Sequence, residues 1–153
     1  MDLRRAIAVV AVTGLGTVVS GIAAEAAEKP KLTASCSKAG FTGSVAVYGK
    51  SGPDGFGGTA PLALITKVQY KIKKPGGGRT ERNDVFVHYR PDPHDPEVSY
   101  LLAKSGDKAL ADNKWHSLSR EIDATRTQHP GIFVEFIFNT AGKDPRCTKL
   151  KHL

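Results

Sequence analysis

Ile65-Thr66-Lys67-Val68-Gln69-Tyr70-Lys71-Ile72-Lys73 places apolar residues at 68, 70 and 72 and polar ones at 67, 69, 71 and 73. Side chains leave a β-strand alternately to its two faces. A period of two therefore puts Val68, Tyr70 and Ile72 on a core and leaves Lys67, Gln69, Lys71 and Lys73 in water. The stretch reads as a strand of an antiparallel sheet with one buried face.

The pattern recurs on both sides. Asp84 to Tyr89 directs Val85, Val87 and Tyr89 inward, and Pro75-Gly76-Gly77-Gly78 with the polar residues after it is expected to join the two strands as a long hairpin loop. Ile132 to Asn139 carries Ile132, Val134, Phe136 and Phe138 on one face and Phe133, Glu135, Ile137 and Asn139 on the other, as an interior strand would. Further strands are expected at Lys31 to Cys36, Gly43 to Tyr48, Ser99 to Lys104 and Trp115 to Ile122, about seven in all. Ser51 to Pro61, with four glycines and two prolines, and Arg90 to Pro96 read as surface loops without regular structure. A helix near Asp107 to Ala111 is too short to assign, and no internal repeat is present. The expected fold is all-β, an antiparallel two-sheet β-sandwich.

The N-terminus follows the order of a secretory signal: Arg4 and Arg5, an uncharged and mostly apolar run from Ala6 to Ala24, then small residues around Glu25. Cleavage after Ala26 is expected, which makes 1–26 a signal peptide and 27–153 a single secreted domain. The rival reading is an uncleaved anchor, since the run approaches the roughly 20 residues that span a bilayer, although Gly14, Gly16, Ser20 and Gly21 dilute it. No second long apolar run exists, so the processed protein is expected to be extracellular, without a transmembrane segment.

The chain has a formal net charge of +7. Residues 1–26 carry two charges of each sign, so the basicity belongs to the domain. Two cysteines in an oxidising compartment suggest one disulfide, Cys36 to Cys147, joining the N- and C-terminal regions; two free or intermolecular thiols are the alternative.

Lys67, Lys71 and Lys73 leave one side of one strand, and Lys74, Arg79 and Arg82 carry the same sign into the adjoining segment. Such a field concentrates polyanions, and outside a cell these include acidic polysaccharide, wall polymers and nucleic acid. A solvated face that keeps a sheet edge from pairing is the plain alternative, because base stacking needs aromatic platforms and few aromatic residues interleave with these charges in the sequence. Asp92, His94 and Asp95, between Pro91, Pro93 and Pro96, match no established metal-ligand spacing; a zinc site would need ligands from elsewhere, such as His88 or His116, and the stretch reads as a Pro-rich turn. Neither a Gly-x-Ser-x-Gly elbow nor a His-Glu-x-x-His pair is present. Glu121 and Glu135 are the one conceivable carboxylate pair for glycosidic hydrolysis, and nothing in the sequence places them together. No catalytic residue, metal or cofactor is therefore assigned.

Asp112-Asn113-Lys114-Trp115-His116-Ser117-Leu118 resembles the segment of turn, Trp-His and strand found in laminin-G-like and other jelly-roll domains; the resemblance implies a sandwich with the tryptophan in its core. Trp115 to Thr148, with Glu135-Phe136-Ile137-Phe138-Asn139 and Asp144-Pro145-Arg146-Cys147-Thr148, is also similar to small secreted actinobacterial proteins of unassigned activity, which implies compartment and fold but no mechanism. The first functional expectation is a non-catalytic secreted binding protein for an anionic cell-surface polymer or glycan. The second is a proteinase inhibitor or another module that binds extracellular protein, with Arg146 beside Cys147 as bait for a trypsin-like pocket; a secreted hydrolase ranks third.

Overall fold

The computed structural model describes residues 28–77, 80–92, 95 and 97–153. Within them lie β1 (Leu32–Lys38), β2 (Phe41–Pro53), β3 (Thr59–Lys73), β4 (Thr80–Arg90), β5 (Tyr100–Lys104), β6 (Ala109–Ala111), β7 (His116–Ser117), β8 (Ser119–Arg120), β9 (Gly131–Ile137) and β10 (Arg146–His152). They form two antiparallel sheets. The smaller runs β1-β2-β3-β7; the larger runs β10-β9-β4-β5-β8, with β6 pairing with β4. The fold is the expected all-β sandwich, with ten strands in place of about seven. The expected signal peptide, residues 1–26, lies outside the described residues.

The inner faces follow the alternation. Val68, Tyr70 and Ile72 from β3 meet Val85, Val87 and Tyr89 from β4 and Ile132, Val134 and Phe136 from β9, all in one buried cluster with Phe138. Phe41, Phe138 and Phe136 stack in series, with centroids 4.8 and 5.9 Å apart. Gly43 makes room for this stack, because a Cβ there would come within 2.5 Å of the Phe136 ring.

Three expectations change, and one segment left unassigned is resolved. β3 and β4 do not pair as a hairpin: β3 already has β2 on one edge and β7 on the other, and β4 belongs to the other sheet. Ser51 to Pro61 is mostly strand, since β2 and β3 continue past register shifts after Tyr48 and Lys50 and leave only residues 54–58 as a turn. The Asp107 to Ala111 segment supplies β6 rather than a helix. The single strand expected over Trp115 to Ile122 divides, β7 pairing with β3 and β8 with β5.

That division closes one side of the sandwich. Asn113 N, Leu118 N, Ile65 N and Thr125 N bond to Ile72 O, Val68 O, Asp123 O and Leu62 O, which zips 113–125 along the free edge of β3, while Glu121 N bonds to Leu102 O in the other sheet. The opposite side is closed covalently. β1 and β10 are the edge strands there, and the Cys36–Cys147 disulfide joins them at a Cα separation of 5.9 Å. Exposed strand edges invite pairing with other chains; residues 113–125 cover the β3 edge, while β1 and β10 are brought together by the disulfide. Among the described residues, no helix is long and apolar enough to cross a membrane.

Candidate functional site

The outer face of the smaller sheet is set by the same period of two that builds the core. In register, Lys67 lies opposite Tyr48, Gln69 opposite Ala46, Lys71 opposite Ser44 and Lys73 opposite Thr42. β1 adds Thr33, Ser35 and Ser37 to these rows, and β7 adds Ser117 beside Gln69. Hydroxyls link neighbouring strands: Ser35 Oγ donates to Ser44 Oγ at 2.9 Å, and Ser37 and Thr42 share a hydrogen bond of 2.9 Å. The result is a polar face with three lysines along one strand. At roughly 3.4 Å per residue, Lys67 to Lys73 spans about 20 Å.

Two aromatic rings interleave with these charges. Lys67 Nζ sits 4.1 Å from the centre of the Tyr48 ring, and Lys71 Nζ sits 4.9 Å from the centre of the Trp115 ring. Each contact holds an ammonium against a π-face and stiffens an otherwise mobile chain. Trp115 is 43% exposed, so it is a surface residue and not the core anchor that the jelly-roll resemblance implies; Leu118, three residues on, enters the core instead.

The turn before β7 explains that orientation. Asn113 adopts φ 60°, while Asp112 Oδ1 accepts from Lys114 N at 3.0 Å and from His116 Nε2 at 2.8 Å. Partial burial works against the Asp112 charge, yet the His116 hydrogen bond and the Lys114 N–H outweigh it and hold the carboxyl below its usual range. His116 then stacks on the inward-facing Tyr70 at 5.3 Å. With His116 turned inward, its neighbour Trp115 turns out over Lys71.

Charge distinguishes this face from the rest of the domain. The four strands of the smaller sheet contain Lys38, Lys50, Lys67, Lys71 and Lys73 and no aspartate or glutamate, although Lys38 lies opposite Phe41 in the inner-face register and Glu28, before β1, accepts from Thr66 Oγ1 on β3 at 3.1 Å. Among the described residues, no carboxylate pairs with Lys67, Lys71 or Lys73. On the larger sheet, by contrast, Lys104 meets Glu121 at 3.4 Å and Arg146 meets Glu135 at 3.3 Å. Two lysines about 7 Å apart repel by roughly 0.6 kcal/mol even in water, and a bound polyanion would relieve that repulsion.

No family model, curated protein or solved structure matches this chain. The arrangement must therefore be read from its own chemistry. Of the basic residues expected to act together, Lys67, Lys71 and Lys73 share this face. Lys74 follows directly at the end of β3, and Arg79 lies outside the described residues. Arg82 belongs to the other sheet, at a bulge in β4 where its φ is 65°. Tyr48, Trp115 and the hydroxyl rows are additions that strand register supplies.

The remaining candidates separate. Glu121 and Glu135 lie on opposite sides of the β4-β5 pair, each paired with its own cation, so they do not flank a common substrate. Asp95 N bonds to Asp92 O and Glu97 N to Asp95 Oδ1, the hydrogen bonds of a turn; His94 lies outside the described residues. His88 is half-buried edge-on to Phe133, and burial lowers its pKa. Arg146, the proposed protease bait, is the first residue of β10, opposite Ile137, and is not displayed on a protruding loop.

Proposed function

We propose that the protein is a non-catalytic secreted binding protein whose smaller sheet carries an anionic surface polymer or glycan along β3. The observation that carries this reading is the outer row of β3: Lys67, Lys71 and Lys73 with no carboxylate paired to them among the described residues, two of them seated on aromatic rings. An extended polyanion would meet Lys67, Lys71 and Lys73 in succession and replace released counterions. Sugar rings would lie on the Trp115 and Tyr48 edges, while the serine and threonine hydroxyls meet ring oxygens. An extracellular setting is supported by the signal-like N-terminus and by the disulfide, a bond that persists in oxidising compartments.

The test is titration with a polyuronate, a sulfated polysaccharide, a single-stranded nucleic acid and neutral dextran at several salt concentrations. Three engaged lysines predict a log–log salt slope on the order of −2 to −3, with no binding to dextran. Salt-independent binding, preference for nucleic acid over both acidic glycans, or binding to none of the polyanions overturns the proposal.

A further inference from the structure

A second cationic feature lies where the disulfide joins the two sheets. Lys38, Lys143, Asp144, Pro145 and Arg146 line an open hollow of about 390 Å³. Lys38 ends β1, two residues after Cys36, and Arg146 opens β10, directly before Cys147. The disulfide thus sets two cations on adjoining strand edges, and the 140–145 loop brings a third. That loop is closed on itself: Asp144 Oδ1 accepts from Thr140 N at 3.0 Å, and Thr140 Oγ1 donates to Lys143 O at 3.4 Å. That hydrogen bond fixes Asp144 Oδ1 but leaves the carboxylate charged, so the lining sets three cations against one anion. Arg146 contacts Glu135 through one guanidinium nitrogen, which leaves the rest of its fork of donors available.

We propose that this hollow is a binding site for one tetrahedral oxyanion, a sulfate or phosphate group carried by a larger molecule. Three cations from two strands and a loop suit four oxygens disposed in three dimensions better than the two coplanar oxygens of a carboxylate. A hollow of about 390 Å³ has room for the anion and part of the group that bears it. The proposal does not rest on the polymer reading of the smaller sheet. The two places are nonetheless close, because Lys73 pairs with Thr42 and Thr42 with Ser37, the neighbour of Lys38.

The experiment titrates the oxidised protein with sodium sulfate, sodium phosphate and sodium acetate at constant ionic strength, following the thermal midpoint and the heat of binding. Saturable binding of sulfate or phosphate, with acetate much weaker, is expected. Lys38→Ala and Lys143→Ala, both at exposed positions, should each weaken it about tenfold, and Lys67→Ala should leave it unchanged. The tighter of the two anions names the source, a sulfate or a phosphate ester. Equal binding of acetate, no saturable binding, or full retention in the Lys38→Ala/Lys143→Ala double variant overturns the site. Failure here leaves the salt-dependent polymer binding intact, so the two proposals fall separately.

Discussion

Opening the Cys36–Cys147 disulfide should destabilise the whole sandwich, not one end of it. The cysteines are 111 residues apart in sequence and lie on the two edge strands of one side, β1 in the smaller sheet and β10 in the larger. For a loop of that length, the chain-entropy argument gives about 5 kcal/mol at 25 °C, gained by restricting the unfolded chain. Single domains have a net stability of about 5–15 kcal/mol, so the loss is a large fraction of the total. For a domain of roughly 125 residues, unfolding entropy near 2.1 cal/mol/K per residue converts this to a fall in Tm of about 18 °C. The assay is thermal unfolding by circular dichroism of three samples: oxidised protein, protein after verified reduction, and Cys36→Ala/Cys147→Ala. The latter two should unfold at similar, much lower temperatures. If the midpoint moves by less than about 2 °C while hydrogen exchange rises only at the strand ends, the reasoning is refuted, since the bridge would then tie down a frayed edge.

Two further changes probe packing and the loop. Gly43→Ala should cost about 1–3 kcal/mol in denaturant unfolding, because its methyl group would overlap the buried Phe136 ring; a stability equal to that of the parent would mean that the aromatic stack shifts freely. Asp54→Ala should release the 54–58 turn, where the buried carboxylate accepts from Phe56 N at 2.7 Å, Gly58 N at 2.9 Å and Gln128 Nε2 at 2.9 Å and holds the 86%-exposed Phe56 in place. Those donors, Gln128 first, keep the Asp54 carboxyl below its usual range, so its contribution is complete above the unfolded pKa near 3.9 and is lost as pH falls through the lower folded value. Amide exchange of Phe56 and Gly58 should accelerate in the variant at neutral pH, and in the parent only in strong acid; unaltered exchange in the variant would remove the carboxylate from that role.

How much of this is legible in the sequence depends on how burial is distributed. β3 and β9 read clearly because each buries one complete face, and only a period of two does that in a strand. β10 is missed because Cys147 is its one buried residue: an edge strand covered on one side leaves almost no alternation. β7 and β8 are two residues each, held by the backbones of two different sheets, and backbone pairing has no side-chain signature. Glycine misleads at Ser51 to Pro61. Gly52 lies in β2 beside a register shift, where a Cβ would come within 3.1 Å of the Ala63 methyl, so the glycines there serve a bulged strand as well as a turn.

The same reasoning applies to the candidate face. Lys67, Lys71 and Lys73 are visible at once, whereas pairing Tyr48 with Lys67 requires the register of β2 against β3, which bulges directly after Tyr48. Trp115 reads as core because a lone tryptophan usually is. The Asp112 turn, which sends His116 inward, reverses that. One signal was available: residues 29–80 hold nine lysines and arginines and a single acid, Asp54, and nearly all of that stretch builds the smaller sheet.

The central claim is that one face, and not net charge alone, recognises the anionic polymer. Charge reversal tests it most directly in two triple variants with identical net charge: Lys67→Glu/Lys71→Glu/Lys73→Glu on the smaller sheet, and Lys104→Glu/Lys149→Glu/Lys151→Glu on the larger. With folding verified by circular dichroism, affinity for an acidic polysaccharide is measured at a salt concentration where the Debye length is about 10 Å. The first variant should lose binding and its salt dependence, while the second stays within a few-fold of the parent. Equal loss in both would mean that the protein binds through its overall charge and that the smaller sheet is not the site.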